Sequence, residues 1–151
     1  MTTLLALDIG GTKVGWGIVE AGDTYEVTER GSIPTDAMRG GADVASRICA
    51  LAASLAASHP SVSGVAVASA GVVDPSTGDI VSATGTMPGW GGTPLGSLLQ
   101  EATGLKVRVL NDVHAHGLGE ATLGAGQPYR TVLSIAVGTG IGGALVEDRQ
   151  V

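Results

Sequence analysis

Leu4-Leu5-Ala6-Leu7-Asp8-Ile9-Gly10-Gly11-Thr12-Lys13-Val14-Gly15-Trp16-Gly17-Ile18-Val19 is the stretch on which the reading of the fold turns. Its two apolar runs, Leu4–Leu7 and Val14–Val19, have strand length and flank Gly10-Gly11-Thr12-Lys13, so two strands around a glycine turn is the simplest assignment. The pattern returns near the other end, where Thr131–Val137 and Ile141–Val146 flank Gly138-Thr139-Gly140. Two such hairpins, far apart in sequence, can face each other and grip one polyphosphate from opposite sides.

Between the hairpins the chain alternates. Thr24–Ile33 supplies a third strand after the Ala21-Gly22-Asp23 turn. Ala42–Ser58 places Val44, Ile48, Leu51 and Leu55 at helical spacing, with Gly40 and Gly41 before it and Pro60 after it. Val62–Ala70 is a continuous small apolar run, suited to a strand buried on both faces. Gly71–Gly78 is a turn region, Asp79–Ser82 a short strand and Thr84–Gly92 a loop. Pro94–Thr103 is a helix stopped at Gly104, Lys106–Leu110 a strand, and Asn111-Asp112 can cap a helix running to about Leu123. This order predicts an α/β architecture with a mixed sheet. Gly124–Pro128 is the candidate joint between two lobes, 1–123 and 124–151.

The totals narrow the function. At 151 residues the length suggests one ordinary domain. The 25 glycines cluster at turns, where the backbone must take positive φ or approach a ligand closely. A net charge of −6 with no run of Lys or Arg gives a nucleic-acid footprint no electrostatic basis. Phosphate can still be held by backbone N–H groups without net positive charge. Cys49 is the single cysteine, so neither an intramolecular disulfide nor a Cys-rich zinc site can form within this chain. Residues 1–10 lack a basic start and contain Asp8, which argues against a signal peptide. Ala42–Ser58 holds Asp43 and Arg47 and is too short to cross a membrane, so a cytoplasmic location is the default.

Three constellations offer chemistry. In the first hairpin, Asp8 at a strand end can hold a hydrated Mg²⁺, while the turn amides and Thr12 face a phosphate. The competing reading is an ordinary hairpin whose glycines only permit the turn. In the second, Gly138, Gly140 and Gly143 meet the spacing of a dinucleotide fingerprint. That fingerprint needs a helix to open there, whereas Ile141–Val146 has the composition of a strand. The third is Leu110-Asn111-Asp112, at a strand-to-helix junction where α/β proteins gather ligands. There a carboxylate can take the proton of an attacking hydroxyl, and Asn111 can orient the substrate; a plain helix cap is the alternative. His114 and His116 stand at i and i+2 of a helix and point to different faces, so they are not read as a metal pair. Trp90, in a Pro/Gly loop, either lines a sugar pocket or pins the loop to the body.

Taken in order, these segments resemble the ROK (repressor, open reading frame, kinase) family of sugar kinases. Leu7–Lys13 resembles its first phosphate motif, and Ala68-Ser69-Ala70-Gly71-Val72-Val73-Asp74 the strand and turn before its sugar site. Met87-Pro88-Gly89-Trp90 is similar to its substrate loop, and Leu110-Asn111-Asp112 with Gly119-Glu120 to its catalytic segment. Gly138–Gly143 is similar to its second phosphate motif. The resemblance implies an actin-like, ribonuclease-H-like fold, here an N-terminal lobe plus the start of a C-terminal one. It implies transfer of the γ-phosphoryl group of Mg·ATP to a hexose or N-acetylhexosamine, typically at the 6-hydroxyl. Asp112 would be the base, with Asn111, Gly71 and Trp90 at the sugar. Asp8, Gly10, Gly11, Thr12, Lys13, Gly138, Thr139 and Gly140 would serve the nucleotide, Asp8 assisting Mg²⁺ through water.

Family members are about twice this length. The remaining lobe would carry further sugar ligands, the structural zinc site and the adenine pocket, so this chain alone is expected to turn over little or nothing. A homodimer is expected of the complete protein, with neither nucleic acid nor membrane as partner. Thr131–Val146 is expected to leave an unpaired apolar strand edge. A non-catalytic sugar-sensing regulator of the same family is the alternative reading, and a dinucleotide-binding protein a more distant one.

Overall fold

The computed structural model describes residues 1–137 and 141–151. It is an α/β structure whose contacts divide the chain into two compact units, Met1–Leu110 and Asn111–Val151.

In the first unit, strands β1 (Thr2–Ile9), β2 (Lys13–Ala21), β3 (Tyr25–Pro34), β4 (Val62–Ser69) and β7 (Lys106–Asn111) form one sheet in the order β3-β2-β1-β4-β7. β1 runs antiparallel to β2 and parallel to β4, so the sheet is mixed, as the element order predicted. Period-two alternation explains its sidedness. Leu5, Leu7 and Ile9 of β1 are buried beside Val14 and Ile18 of β2 and Val65 and Val67 of β4. Leu4, Ala6 and Asp8 occupy the other face, where the neighbours of Ala6 and Asp8 are Gly17, Gly15, Ala66 and Ala68. Ser63 and Ala66 are exposed, so β4 is buried on one face and not on both. Its continuous small apolar run concealed that alternation, because Ala fits either environment.

Helix α1 (Gly41–Ser58) covers the core with Val44, Ala45, Ile48, Ala52 and Leu55. It packs against α2 (Leu95–Thr103), which contributes Leu95 and Leu99. Gly104 ends α2 at φ +70, its N–H donating to the Gln100 carbonyl. A single 3₁₀ turn, Ala37–Arg39, which no periodicity announced, links β3 to α1. The two-stranded pair β5 (Val72–Val73) and β6 (Ile80–Ser82) closes the segment between β4 and α2.

In the second unit, α3 (Asp112–Thr122) packs on the hairpin of β8 (Thr131–Val137) and β9 (Ile141–Glu147). Gly117 permits the approach, since a Cβ there would stand 2.7 Å from that of Ala144. Leu133, Ile135, Val137, Ile141 and Leu145 form the opposite face of the hairpin and are 60–80% exposed. Among the described residues β8 and β9 pair only with each other, which is the apolar, unpaired edge anticipated for this segment.

The end of α1 carries a titratable latch. His59 Nδ1 lies 2.9 Å from the Leu55 carbonyl, and Nε2 lies 2.9 Å from Glu29 on β3. The imidazolium can donate to both at once, so the Leu55 carbonyl first, and Glu29 after it, raise the His59 pKa above its usual 6.5. A raised folded-state pKa gives stabilisation that is complete below an unfolded value of about 6.5 and is lost as pH climbs through the folded value. Thermal melts from pH 5.5 to 8.5 should therefore show wild type losing stability relative to His59→Gln as pH rises. Parallel curves would remove the latch.

Candidate functional site

The first candidate site is the end of β1. Asp8 is exposed on the face opposite the core, beside Gly15 of β2 and Ala68 of β4. The chain then reverses: the Gly10 N–H donates to the Lys13 carbonyl across 3.1 Å, and Gly11, Thr12 and Lys13 are exposed. The turn is held from below by Thr35, a fully buried residue just past β3. Its hydroxyl donates to the Gly10 carbonyl at 2.6 Å and its N–H to the Thr12 carbonyl at 3.0 Å.

Two other segments reach the same end of the sheet. The Ala70 N–H donates to the Ile9 carbonyl at 2.9 Å, which ties the turn after β4 to the end of β1. Gly71, at φ +101, needs glycine twice over: its conformation disfavours a side chain, and a Cβ would meet the Ser82 carbonyl at 2.7 Å. A Cβ at Gly11 would lie 3.8 Å from both the Thr86 carbonyl and Met87, so the loop over 84–92 rests against the glycine turn. Asp8, Gly10–Lys13, Ala70-Gly71 and Thr86 thus gather at one end of the sheet within the first unit, with Met87 buried beneath the turn.

Trp90 takes the pinning role. It has no exposed surface, and its indole N–H is shared between the Ala70 carbonyl at 3.2 Å and Ser69 Oγ at 3.3 Å. A side chain so enclosed fixes the loop to β4. Nearby, Asp74 accepts from the Ser76 hydroxyl and N–H at 2.6 and 2.8 Å, and these bonds lower its pKa. That carboxylate closes the turn from β5 to β6.

In the second unit, Asn111 caps α3, its Oδ1 accepting from the N–H groups of Val113 at 3.0 Å and His114 at 3.2 Å. Asp112 is half-buried at the first position of the helix, with Oδ1 2.9 Å from the Val113 N–H. The carboxylate thus sits at the N-terminal end of α3. His114 and His116 are both exposed. Among the described residues no three His, Cys, Asp or Glu side chains cluster as metal ligands. Gly138, Thr139 and Gly140 lie outside the described residues. Ile141–Glu147 is a strand and not a helix, so the dinucleotide fingerprint lacks the element it needs.

Thr35, Arg47 and Gly41 are the structural residues that motif reading missed. The doublet Gly40-Gly41 was the only local signal, and it did not reveal what approaches Gly41. The Gly41 N–H donates to the Pro88 carbonyl at 2.8 Å, which locks the start of α1 to the loop that carries Trp90.

Comparison with known proteins gives a consistent result. The family model described as ROK family matches residues 4–151. The glucokinase of Halalkalibacterium halodurans is 34% identical over 148 residues, covering 95% of this chain and 44% of the relative. A ROK family glucokinase from Streptomyces griseus, solved in complex with glucose and AMPPNP, superimposes with a TM-score of 0.83 at 30% identity, over 98% of this chain and 45% of that one. A ROK family transcriptional regulator, homologous to the E. coli MLC protein, superimposes with a TM-score of 0.84 over 98% of this chain and 37% of that one; at 24% identity it shows the fold alone. The chain spans about half the length of the curated relatives it matches.

The packing at Gly41 yields a direct test. A Cβ there would collide with the Gly89 carbonyl oxygen and stand 2.8 Å from the Trp90 nitrogen. Gly41→Ala should therefore displace the loop and cost about 1–3 kcal/mol, as overpacking generally does. Urea unfolding followed by tryptophan fluorescence measures this, and an unchanged midpoint would contradict the contact.

Proposed function

The chain belongs to the ROK family, and from that premise we propose that residues 1–151 carry the catalytic aspartate and both phosphate-binding turns of an ATP-dependent sugar kinase. Its α/β fold with a mixed sheet matches that of ROK kinases, which have the actin-like ATPase architecture. The acceptor class is a hexose or N-acetylhexosamine, phosphorylated at the 6-hydroxyl.

The observation that carries the reading is the surface at the shared end of β1 and β4. There an exposed glycine turn follows an exposed carboxylate, beside the Ala70-Gly71 turn and the Thr86-Met87 loop. Phosphoryl transfer asks chiefly for positioning and charge stabilisation, and exposed backbone N–H groups supply both. Gly10, Gly11, Thr12 and Lys13 serve the nucleotide phosphates in this reading, and Gly138, Thr139 and Gly140 are assigned to the same ligand from their motif. Gly71 lies beside the sugar, and Trp90 serves that site by fixing the loop.

Asp8 suits Mg²⁺: its carboxylate is exposed, a hard oxygen donor, and faces Gly15 across the strand pair with no side chain to crowd it. When bound, Mg²⁺ would neutralise charge on the phosphates, held by Asp8 through water. Asp112 accepts the proton of the attacking hydroxyl, and Asn111 orients the sugar. A cap and a ligand are compatible roles for Asn111, because an amide carries donors as well as an acceptor.

A general base of this kind is worth about 10²–10⁴ in rate. Asp112→Asn should lower kcat by that order while the sugar Kd moves less than about threefold, since the lost interaction belongs to the transition state. The assay is ADP release over a panel of hexoses and N-acetylhexosamines, with sugar binding measured separately by calorimetry. It uses the chain together with the second half its relatives carry, because residues 1–151 alone should turn over little or nothing. Unchanged ADP release in the variant would remove Asp112 as the base, and sugar binding with no ADP release from wild type would favour a sensor.

A further inference from the structure

We infer that Thr35 is a positioning residue for the Gly10–Lys13 turn, and that Arg47 holds Thr35 in register; the inference rests on reading that turn as a phosphate site. Thr35 stands 25 residues from Gly10 in sequence and has no exposed surface. All three of its polar groups are engaged. The hydroxyl and the N–H hold the Gly10 and Thr12 carbonyls, and the Thr35 carbonyl accepts from Arg47 Nη2.

Arg47 is fixed in turn. Its Nη1 donates to the Pro34 carbonyl at 3.0 Å, and its Nε donates to Asp43 at 2.7 Å. Arg39 Nη2 reaches the other Asp43 oxygen at 2.9 Å. The guanidinium therefore bridges α1 to two successive carbonyls at the end of β3, a task that needs its planar fork and not merely a positive charge. The chain of contacts runs from α1 through Arg47 to Thr35, and from Thr35 to the turn.

Peptide geometry shows what this accomplishes. Among the described residues no peptide bond is cis, so each of their carbonyls points away from the N–H of the residue that follows. Drawing the Gly10 carbonyl inward to the buried Thr35 hydroxyl therefore aims the Gly11 N–H outward, towards the exposed side of the turn. With two glycines the turn has many alternative conformations, and the Thr35 hydroxyl selects one of them. A phosphate meeting an ordered N–H loses less entropy on binding than one that must order the turn itself.

The test separates this role from simple stability. In Thr35→Val a methyl group replaces the hydroxyl in the same shape, and the N–H bond to Thr12 remains. Thr35→Ser restores the hydroxyl. Backbone ¹⁵N relaxation of the 151-residue chain should show Gly11 and Thr12 falling from an order parameter of about 0.85 to below about 0.6 in the valine variant. β1 and β4 should be unchanged, and serine should recover the wild-type values. Titration with inorganic tripolyphosphate, read from the Gly11 and Thr12 amide shifts, should weaken about tenfold in valine and return in serine, a single hydrogen bond's worth. Arg47→Lys should reproduce the loss in part. Unaltered order of the turn in Thr35→Val would sink the Thr35 assignment alone. Failure of serine to restore the turn in a folded protein would do the same. Wild-type turn amides that ignore tripolyphosphate would instead sink the phosphate reading, and with it the functional half of this inference.

Discussion

β1 must serve two neighbours of opposite direction at once. It runs antiparallel to β2 and parallel to β4, and its alternation gives Leu5, Leu7 and Ile9 to the core while Asp8 faces outward. A slip of one residue would exchange those faces, burying the carboxylate and exposing the leucines. The hydrophobic register of one strand thereby fixes where Asp8 points and where the Gly10–Lys13 turn begins. The parallel pairing with β4 then brings the Ala70-Gly71 turn to the same end, because strands that run together also end together.

Close approach is the second constraint. Gly41 lets the start of α1 meet the Gly89 carbonyl, Gly117 lets α3 meet Ala144, and Gly31 makes room for the Trp16 ring. Each of these glycines is an empty volume that another segment fills. Thr35 and Trp90 work by the complementary device, a buried polar group whose bonds join segments distant in sequence. Burying such a group without partners is costly, so each bond also selects the arrangement in which it is made. The exposed turn is thereby held by a residue that has no exposed surface of its own.

Much of the fold was legible in the sequence. The strands, the helices and the glycine stop at Gly104 follow from apolar spacing and turn residues, which are local properties. Membership in a family of sugar kinases was legible too, through five short motifs in a fixed order. Less legible were the 3₁₀ turn Ala37–Arg39 and the exposure of one face of β4. A three-residue turn has no period to detect, and a strand of alanines and valines hides which side meets water.

By itself, then, the sequence determined which segments are strands and helices, and that the sheet is mixed. Periodicity and backbone freedom are encoded within a few neighbouring residues, so reading them requires no partner. Only the tertiary structure decided that Trp90 pins a loop, that Gly41 is a contact and not a spacer, and that Thr35 and Arg47 stand behind the turn. These are bonds between residues 12 to 47 positions apart, and no local pattern records which distant carbonyl a buried hydroxyl, indole or amide will meet.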